Sequence, residues 1–354
     1  MKKNKISALE AKEKALELSL APLMFQGARA LFELGILDFL KKMGDEGASQ
    51  DLMAQKLGLS PYVLEVLLEA GLGMGLVEFK EDRVILTKTG YFFATDPMVK
   101  VNMDFSHYVC YLPSYSFLES LINGKPEGLR TFGNWETIYE GLWSLPETVL
   151  EKWLAFDHFY SDASFNEASE ILLQKRPKKI LDIGGNTGKW AIHYAQKDPE
   201  AEITILDLPG AVEEAEKRID DAGLSHRINC MKMNILDKDQ PLPKDYDWIW
   251  MSQFLDCFGE EEISLILDKV HKSLDQNGYM SILEPCWDQQ KFKAASYCLQ
   301  AVSLYFTCLA NGKSKFYSSR KWHKMIKNAG FQIVEEIFPL GLGHTLFICT
   351  KQKD

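Results

Sequence analysis

Apolar and polar residues alternate along this chain in a way that separates a helical first half from a second half of strands and helices. Residues 8–20 read as an amphipathic helix, and residues 23–40, rich in Leu, Phe and Ala, as a second helical stretch broken by Gly27 and Gly35. That second stretch is apolar on nearly every face, which implies burial on more than one side and hence against a second chain. Residues 48–68 have the form of a helix, a turn at Gly58 and another helix. Residues 75–87 alternate around an Asp-containing turn, which predicts a two-stranded wing. Residues 98–173 read as helical and are crowded with aromatic side chains, among them Phe156 and Tyr160, which are four apart and share one helix face.

Beyond residue 174 the rhythm changes. Short apolar runs at 180–183, 203–206, 228–233, 247–252 and 279–283 predict strands, with helical patterns at 211–222 and 260–274 between them and two more strands at 333–338 and 344–350. Strands alternating with helices imply a parallel sheet with right-handed crossovers. The first of these strands runs into Asp182-Ile-Gly-Gly-Asn-Thr-Gly188, and the second ends at Asp207, 19 residues after Gly188. Gly184, Gly185 and Gly188 let a ligand approach the backbone, and a carboxylate at Asp207 can accept both hydroxyls of a ribose. Asp182 lies inside the strand end, where a buried carboxylate needs a partner.

The spacing Asp-x-Gly-x-x-x-Gly, followed by Asp-Leu-Pro-Gly at 207–210, resembles the cofactor motifs of the class I S-adenosylmethionine-dependent small-molecule O-methyltransferases related to caffeate and acetylserotonin O-methyltransferases. The resemblance implies a Rossmann-like α/β core, a seven-stranded sheet with a C-terminal antiparallel hairpin, preceded by a mostly α-helical winged-helix dimerisation domain. It implies residues 1–100 as the dimerisation domain, 101–173 as a helical linker lining the substrate, and 174–354 as the S-adenosylmethionine-binding domain. Cofactor contacts would come from Asp182, Gly184, Gly185, Gly188, Asp207 and Leu208. Ligands of open sheets bind beyond the carboxyl ends of the strands, which adds Asn234, Ile235, Ser252 and Gln253. Asn234 stands where the family has an aspartate facing the adenine amino group. Phe156, Tyr160 and Trp287 are the candidate acceptor contacts.

At the catalytic segment the chain departs from that family. Met251-Ser-Gln-Phe-Leu-Asp-Cys-Phe-Gly-Glu-Glu261 aligns with a pattern in which a histidine is the general base, and here that position is Asp256. Glu284, 28 residues on, matches the acid that orients the base. An isolated aspartate is a weak base toward a phenol, but two acids close together and buried raise one another toward neutrality. A cap for the helix at 260–274 is the plain structural role for Asp256, and a backbone-amide partner that for Glu284.

Composition narrows the partners. A net charge of −10 and a second wing-domain helix carrying Glu65 and Glu69 argue against nucleic acid. The seven cysteines form no C-x-x-C pair or zinc spacing, so no metal is expected and a reducing cytoplasm suits them. No apolar run approaches membrane-spanning length. The chain is therefore expected to be a cytoplasmic homodimeric enzyme transferring methyl from S-adenosylmethionine to a hydroxyl of a small, phenolic acceptor. C-methylation of a phenolic ring, a decarboxylase or hydroxylase that keeps the cofactor site, and an S-adenosylmethionine-sensing regulator are the alternatives.

Overall fold

The computed structural model describes residues 6–352, which fall into two compact units divided after Asp104. In the first unit, the helix Ala8–Glu33 begins with a reciprocal cap. Ser7 Oγ accepts the Glu10 N–H at 3.1 Å, and Glu10 Oε2 accepts the Ser7 N–H at 2.7 Å. The helix continues through Pro22 and Gly27 and stops at Leu34 and Gly35, so of the two glycines expected to break it only Gly35, with φ +73°, does so. Gly27 instead faces Ala70 at ordinary contact distance.

Helices Ile36–Met43, Gln50–Leu57 and Pro61–Gly73 follow, the last two capped by the hydroxyls of Ser49 and Ser60. Strands β1 (Val77–Lys80) and β2 (Arg83–Leu86) form the antiparallel wing. Leu31, Ile36, Leu40, Leu64, Leu68 and Val84 make one core under these elements, while Glu65 and Glu69 stay exposed. On the helix Ala8–Glu33, Leu9, Leu16, Leu18, Leu20 and Leu23 are all more than half exposed.

The second unit starts with short helices and the 29-residue helix Glu147–Lys175. A seven-stranded sheet follows: β3 (Lys179–Ile183), β4 (Glu202–Asp207), β5 (Ile228–Lys232), β6 (Trp248–Ser252), β7 (Tyr279–Pro285), β8 (Phe331–Leu340) and β9 (His344–Lys351). Their spatial order is β5-β4-β3-β6-β7-β9-β8. The pairs among β3 to β7 are parallel, and β9 is antiparallel to both neighbours. Helices Lys189–Lys197, Pro209–Asp221 and Glu260–Ser273 make crossovers.

This is the parallel sheet that the alternating pattern implied, closed by the terminal antiparallel hairpin that the resemblance implied, and the strand ends moved by no more than a few residues. The chain runs outward from β3 to β5 and then returns to β6 beside β3. The carboxyl ends of β3 and β6 therefore flank a topological switch point, where open sheets hold ligands. Trp190 and Trp250 stack at 4.5 Å behind it and stiffen its floor. Among the described residues no single helix is long and apolar enough to cross a membrane; the bent pair Ala8–Glu33 and Ile36–Glu46 passes that test only jointly.

Candidate active site

At the end of β3 the chain turns sharply into the helix Lys189–Lys197. Gly184 and Gly188 adopt φ +77° and +74°, a region costly for side chains with a Cβ. A Cβ on Gly184 would sit 2.1 Å from the Phe254 ring, and one on Gly185 would sit 2.7 Å from Asp182 Oδ2. The turn is tied to the end of β4 by Asp207, whose Oδ2 accepts the Asn186 N–H at 2.8 Å and whose Oδ1 accepts the Leu208 N–H at 2.7 Å. Burial pushes the Asp207 carboxyl up to about 6 against the pull of these two bonds. Asp182 is deeper, its Oδ2 has no hydrogen-bond partner, and burial, then the charge of Asp207, holds it well above the usual carboxylate range.

A cavity of 1140 Å³ opens over this turn. Gly184, Asp207, Leu208, Asn234, Ile235 and Gln253 line it. The other residues expected at the cofactor, Asp182, Gly185, Gly188 and Ser252, stand outside its lining. Gly185 and Asp182 are packed on each other, and the Ser252 hydroxyl is buried without a partner. Asn234 Oδ1 accepts the Leu236 N–H at 3.0 Å, which leaves one lone pair on that oxygen. Trp143 closes one wall by lying on Gly210, where a Cβ would meet its Cδ1 at 2.5 Å. Gln253, at φ +46°, is held by His344, whose Nε2 is 2.9 Å from Gln253 Oε1. Burial lowers the His344 imidazole to about 4, so it is neutral and donates to the amide oxygen.

Farther along, Asp256 lines the cavity and Glu284 lies buried behind it. Glu284, fully buried at the end of β7, uses Oε1 to accept the N–H groups of Phe254, Leu255 and Asp256 at 3.1, 2.9 and 3.3 Å. Its other oxygen, Oε2, is buried without a hydrogen-bond partner. Burial, and then the Asp256 charge, holds Glu284 well above the usual range. Burial pushes Asp256 up to about 7, with the neighbouring Cys257 and Glu284 pulling it down and Asp157 pushing it up. Burial thus opposes ionisation of both carboxyls, and Asp256 stands near neutrality. Asp256 does not cap the following helix: that helix starts at Gly259, whose N–H is taken by Glu262 Oε2 at 3.0 Å.

Of the acceptor candidates, Phe156 lines the cavity and stacks on Phe105 at 4.0 Å. Tyr160, one turn later, packs against Phe156 and Phe159 outside the lining. Trp287 lies beyond the end of β7, 37% exposed and also outside the lining. Neither Tyr160 nor Trp287 thus lines the cavity: Tyr160 is one helical turn past Phe156, and Trp287 stands in the turn after β7.

Sequence reasoning missed Asp157, beside Phe156. It lines the cavity, accepts Asn186 Nδ2 at 3.2 Å, and is raised above its ordinary value chiefly by burial. An acid next to an aromatic on a long helix reads as part of a solvated face; only its two-sided burial marks it. Trp153, Tyr139, Cys257 and Tyr305 also line the wall, and none belongs to a recognisable motif. Among the described residues no three His, Cys, Asp or Glu side chains are grouped to hold a metal ion.

The chain matches the O-methyltransferase domain family over residues 153–332 and the Dimerisation2-like domain family over residues 12–84. It is 27% identical over 334 residues to the L-tyrosine C(3)-methyltransferase of Streptomyces lavendulae, covering 92% of this chain and 89% of that protein. It is 23% identical to the 3-hydroxy-5-methyl-1-naphthoate 3-O-methyltransferase of Streptomyces sahachiroi, covering 88% and 87%. The crystal structure of the S-adenosylmethionine-dependent methyltransferase SibL in its apo form superposes with a TM-score of 0.71 at 23% identity, covering 96% of this chain and 98% of that one.

Proposed function

The chain belongs to the O-methyltransferase family, and on that premise we propose that it transfers a methyl group from S-adenosylmethionine to a hydroxyl of a small aromatic acceptor bound beside Asp256. The observation that carries this is the meeting, in one cavity, of a glycine turn anchored by Asp207 and a buried acid pair able to hold a proton near neutrality. When bound, S-adenosylmethionine supplies an electrophilic methyl group on a sulfonium.

The residues present suit that cofactor. The carboxylate of Asp207 spends one lone pair of each oxygen on a backbone N–H and keeps others for the two ribose hydroxyls. Gly184 presents bare backbone, with Gly185 and Gly188 shaping the turn behind it. Ile235, buried in the lining, would cover the adenine face, and the free lone pair of Asn234 Oδ1 would face its amino group. Leu208 and Gln253 complete that wall, with Asp182 and Ser252 supporting it from behind. Asp157, held by Asn186 of the turn, suits the ammonium of the methionine part.

Asp256 takes the proton of the acceptor hydroxyl, and Glu284 holds the loop and keeps its own proton so that the pair never carries two charges. Phe156 and Trp153 give the ring a flat apolar seat. Alignment of the oxygen with the methyl group does much of the rest. The likeness to an L-tyrosine C(3)-methyltransferase favours one second reading, in which the phenolate formed by Asp256 directs methylation to the neighbouring ring carbon; NMR of the methylated product separates the two. All seven cysteines are free, which suits a reducing cytoplasm.

Three outcomes are expected. Titration calorimetry should show S-adenosylmethionine binding, and Asp207→Ala should weaken it by roughly 2–4 kcal/mol, because two ribose hydroxyls lose a charged partner; equal affinity would remove Asp207 from the ribose. Methyl transfer should rise with pH through about 7, since the base is active only when ionised. Asp256→Asn should keep cofactor affinity, lose that limb and slow transfer by about 10²-fold, whereas wild-type rates across the same range would leave alignment alone as the catalyst. Finally, the exposed leucines of the helix Ala8–Glu33 and the Dimerisation2-like match support a homodimer built on residues 18–40 and the neighbouring helices. Light scattering should report twice the protomer mass at micromolar concentration; a stable monomer would refute it.

A further inference from the structure

The wall of the cavity beside Asp256 holds one buried hydroxyl that no nitrogen or oxygen atom of the described residues satisfies. Tyr139 sits on the short helix Ile138–Gly141, which is folded around the indole of Trp135. A Cβ on Gly133 or Gly141 would fall within 2.3 or 2.1 Å of that ring, so the segment from 133 to 141 closes tightly on it, with Ile138 anchored in the core below. Tyr139 is thereby fixed in the cavity lining. Its hydroxyl is shielded from water, has no nitrogen or oxygen partner, and lies against the Cys257 thiol, a weak acceptor.

The other polar groups nearby are already engaged. Tyr305 Oη accepts Trp153 Nε1 at 2.7 Å. Asn311 Nδ2 donates to the Cys257 carbonyl at 2.6 Å, and its Oδ1 accepts from Lys313, Ser314 N–H and Ser314 Oγ. The Cys257 thiol, which lies beside Tyr139, is turned to Asp256 Oδ1 at 3.5 Å. Leaving a buried hydroxyl unpaired is unfavourable unless a ligand completes it. Burial also raises the Tyr139 phenol well above its ordinary value, so it remains a proton carrier at any working pH: it can donate a hydrogen bond but cannot act as a base.

Tyr139 and Asp256 thus both neighbour the Cys257 thiol and both line the cavity, one as a hydrogen-bond donor and the other as a proton acceptor. We propose that Tyr139 is a specificity-determining residue whose hydroxyl donates to a second oxygen adjacent to the methylated one, so that the protein selects phenols with an ortho hydroxyl or carbonyl over phenols with none. This rests on the function proposed above and adds to it the class of acceptor. A site built to hydrogen-bond a substrate oxygen disfavours the analogue lacking it, because the protein group is then left unpaired.

The test uses the full chain with S-adenosylmethionine and two probes, catechol and phenol. The wild type should turn over catechol with a kcat/KM about tenfold or more above that for phenol. In Tyr139→Phe the ratio should fall to about twofold, the statistical advantage of two hydroxyls, chiefly through a higher KM for catechol. The variant removes only a hydroxyl without a nitrogen or oxygen partner, so affinity for S-adenosylhomocysteine and the melting temperature should hold or rise; a merely structural tyrosine would lower the melting temperature and slow both phenols alike. Transfer to both probes with the same ratio in wild type and variant overturns this inference and leaves the proposed function standing. No transfer to either probe, and no heat of catechol binding to protein saturated with S-adenosylhomocysteine, overturns both.

Discussion

The site depends on one buried carboxylate. Glu284 ends the strand β7 with no exposure to water and binds three consecutive N–H groups of the loop after β6. Those bonds fix where Asp256 stands, and through Phe254 they also fix the cofactor turn, because the Phe254 ring fills the space that a side chain at Gly184 would need. A single acid on one strand therefore sets the base and the glycine turn against each other. Without it three buried backbone donors would be orphaned, a loss on the order of 1–3 kcal/mol for each.

The same burial sets the chemistry. Asp157, Asp182, Asp207, Asp256 and Glu284 all lie at or behind one cavity, and desolvation is the largest influence on every one of them. In water an aspartate would be too acidic to accept a phenolic proton usefully. Here burial pushes Asp256 up to about 7, which poises the proposed base near neutrality without a histidine. His344, buried behind the wall, is pushed the other way and holds Gln253.

Much of this was legible in the sequence, because strand periodicity and glycine spacing are local. The runs at 180–183, 203–206 and 279–283 became β3, β4 and β7, and Asp207, Gly184, Gln253 and Asp256 all reached the cavity. Long-range packing was not legible. Gly27 looked like a helix breaker but sits within Ala8–Glu33, since tertiary contacts override a modest propensity cost. Tyr160 shares a helix face with Phe156, yet the cavity ends one turn earlier. Asp157 and Tyr139 gave no signal at all: what marks them is their place in the cavity lining, which depends on segments far away in the chain.

The central claim, that Asp256 and Glu284 hold one proton between them at neutral pH, is tested most directly by carboxyl ¹³C NMR across a pH titration, with the two signals assigned through Asp256→Asn and Glu284→Gln. The account predicts that the Asp256 signal titrates near 7 and that Glu284 stays protonated well beyond the usual carboxylate range. If both carboxyls instead lost their protons near 4, as solvated acids do, no shared proton would exist at neutral pH and the account would be contradicted.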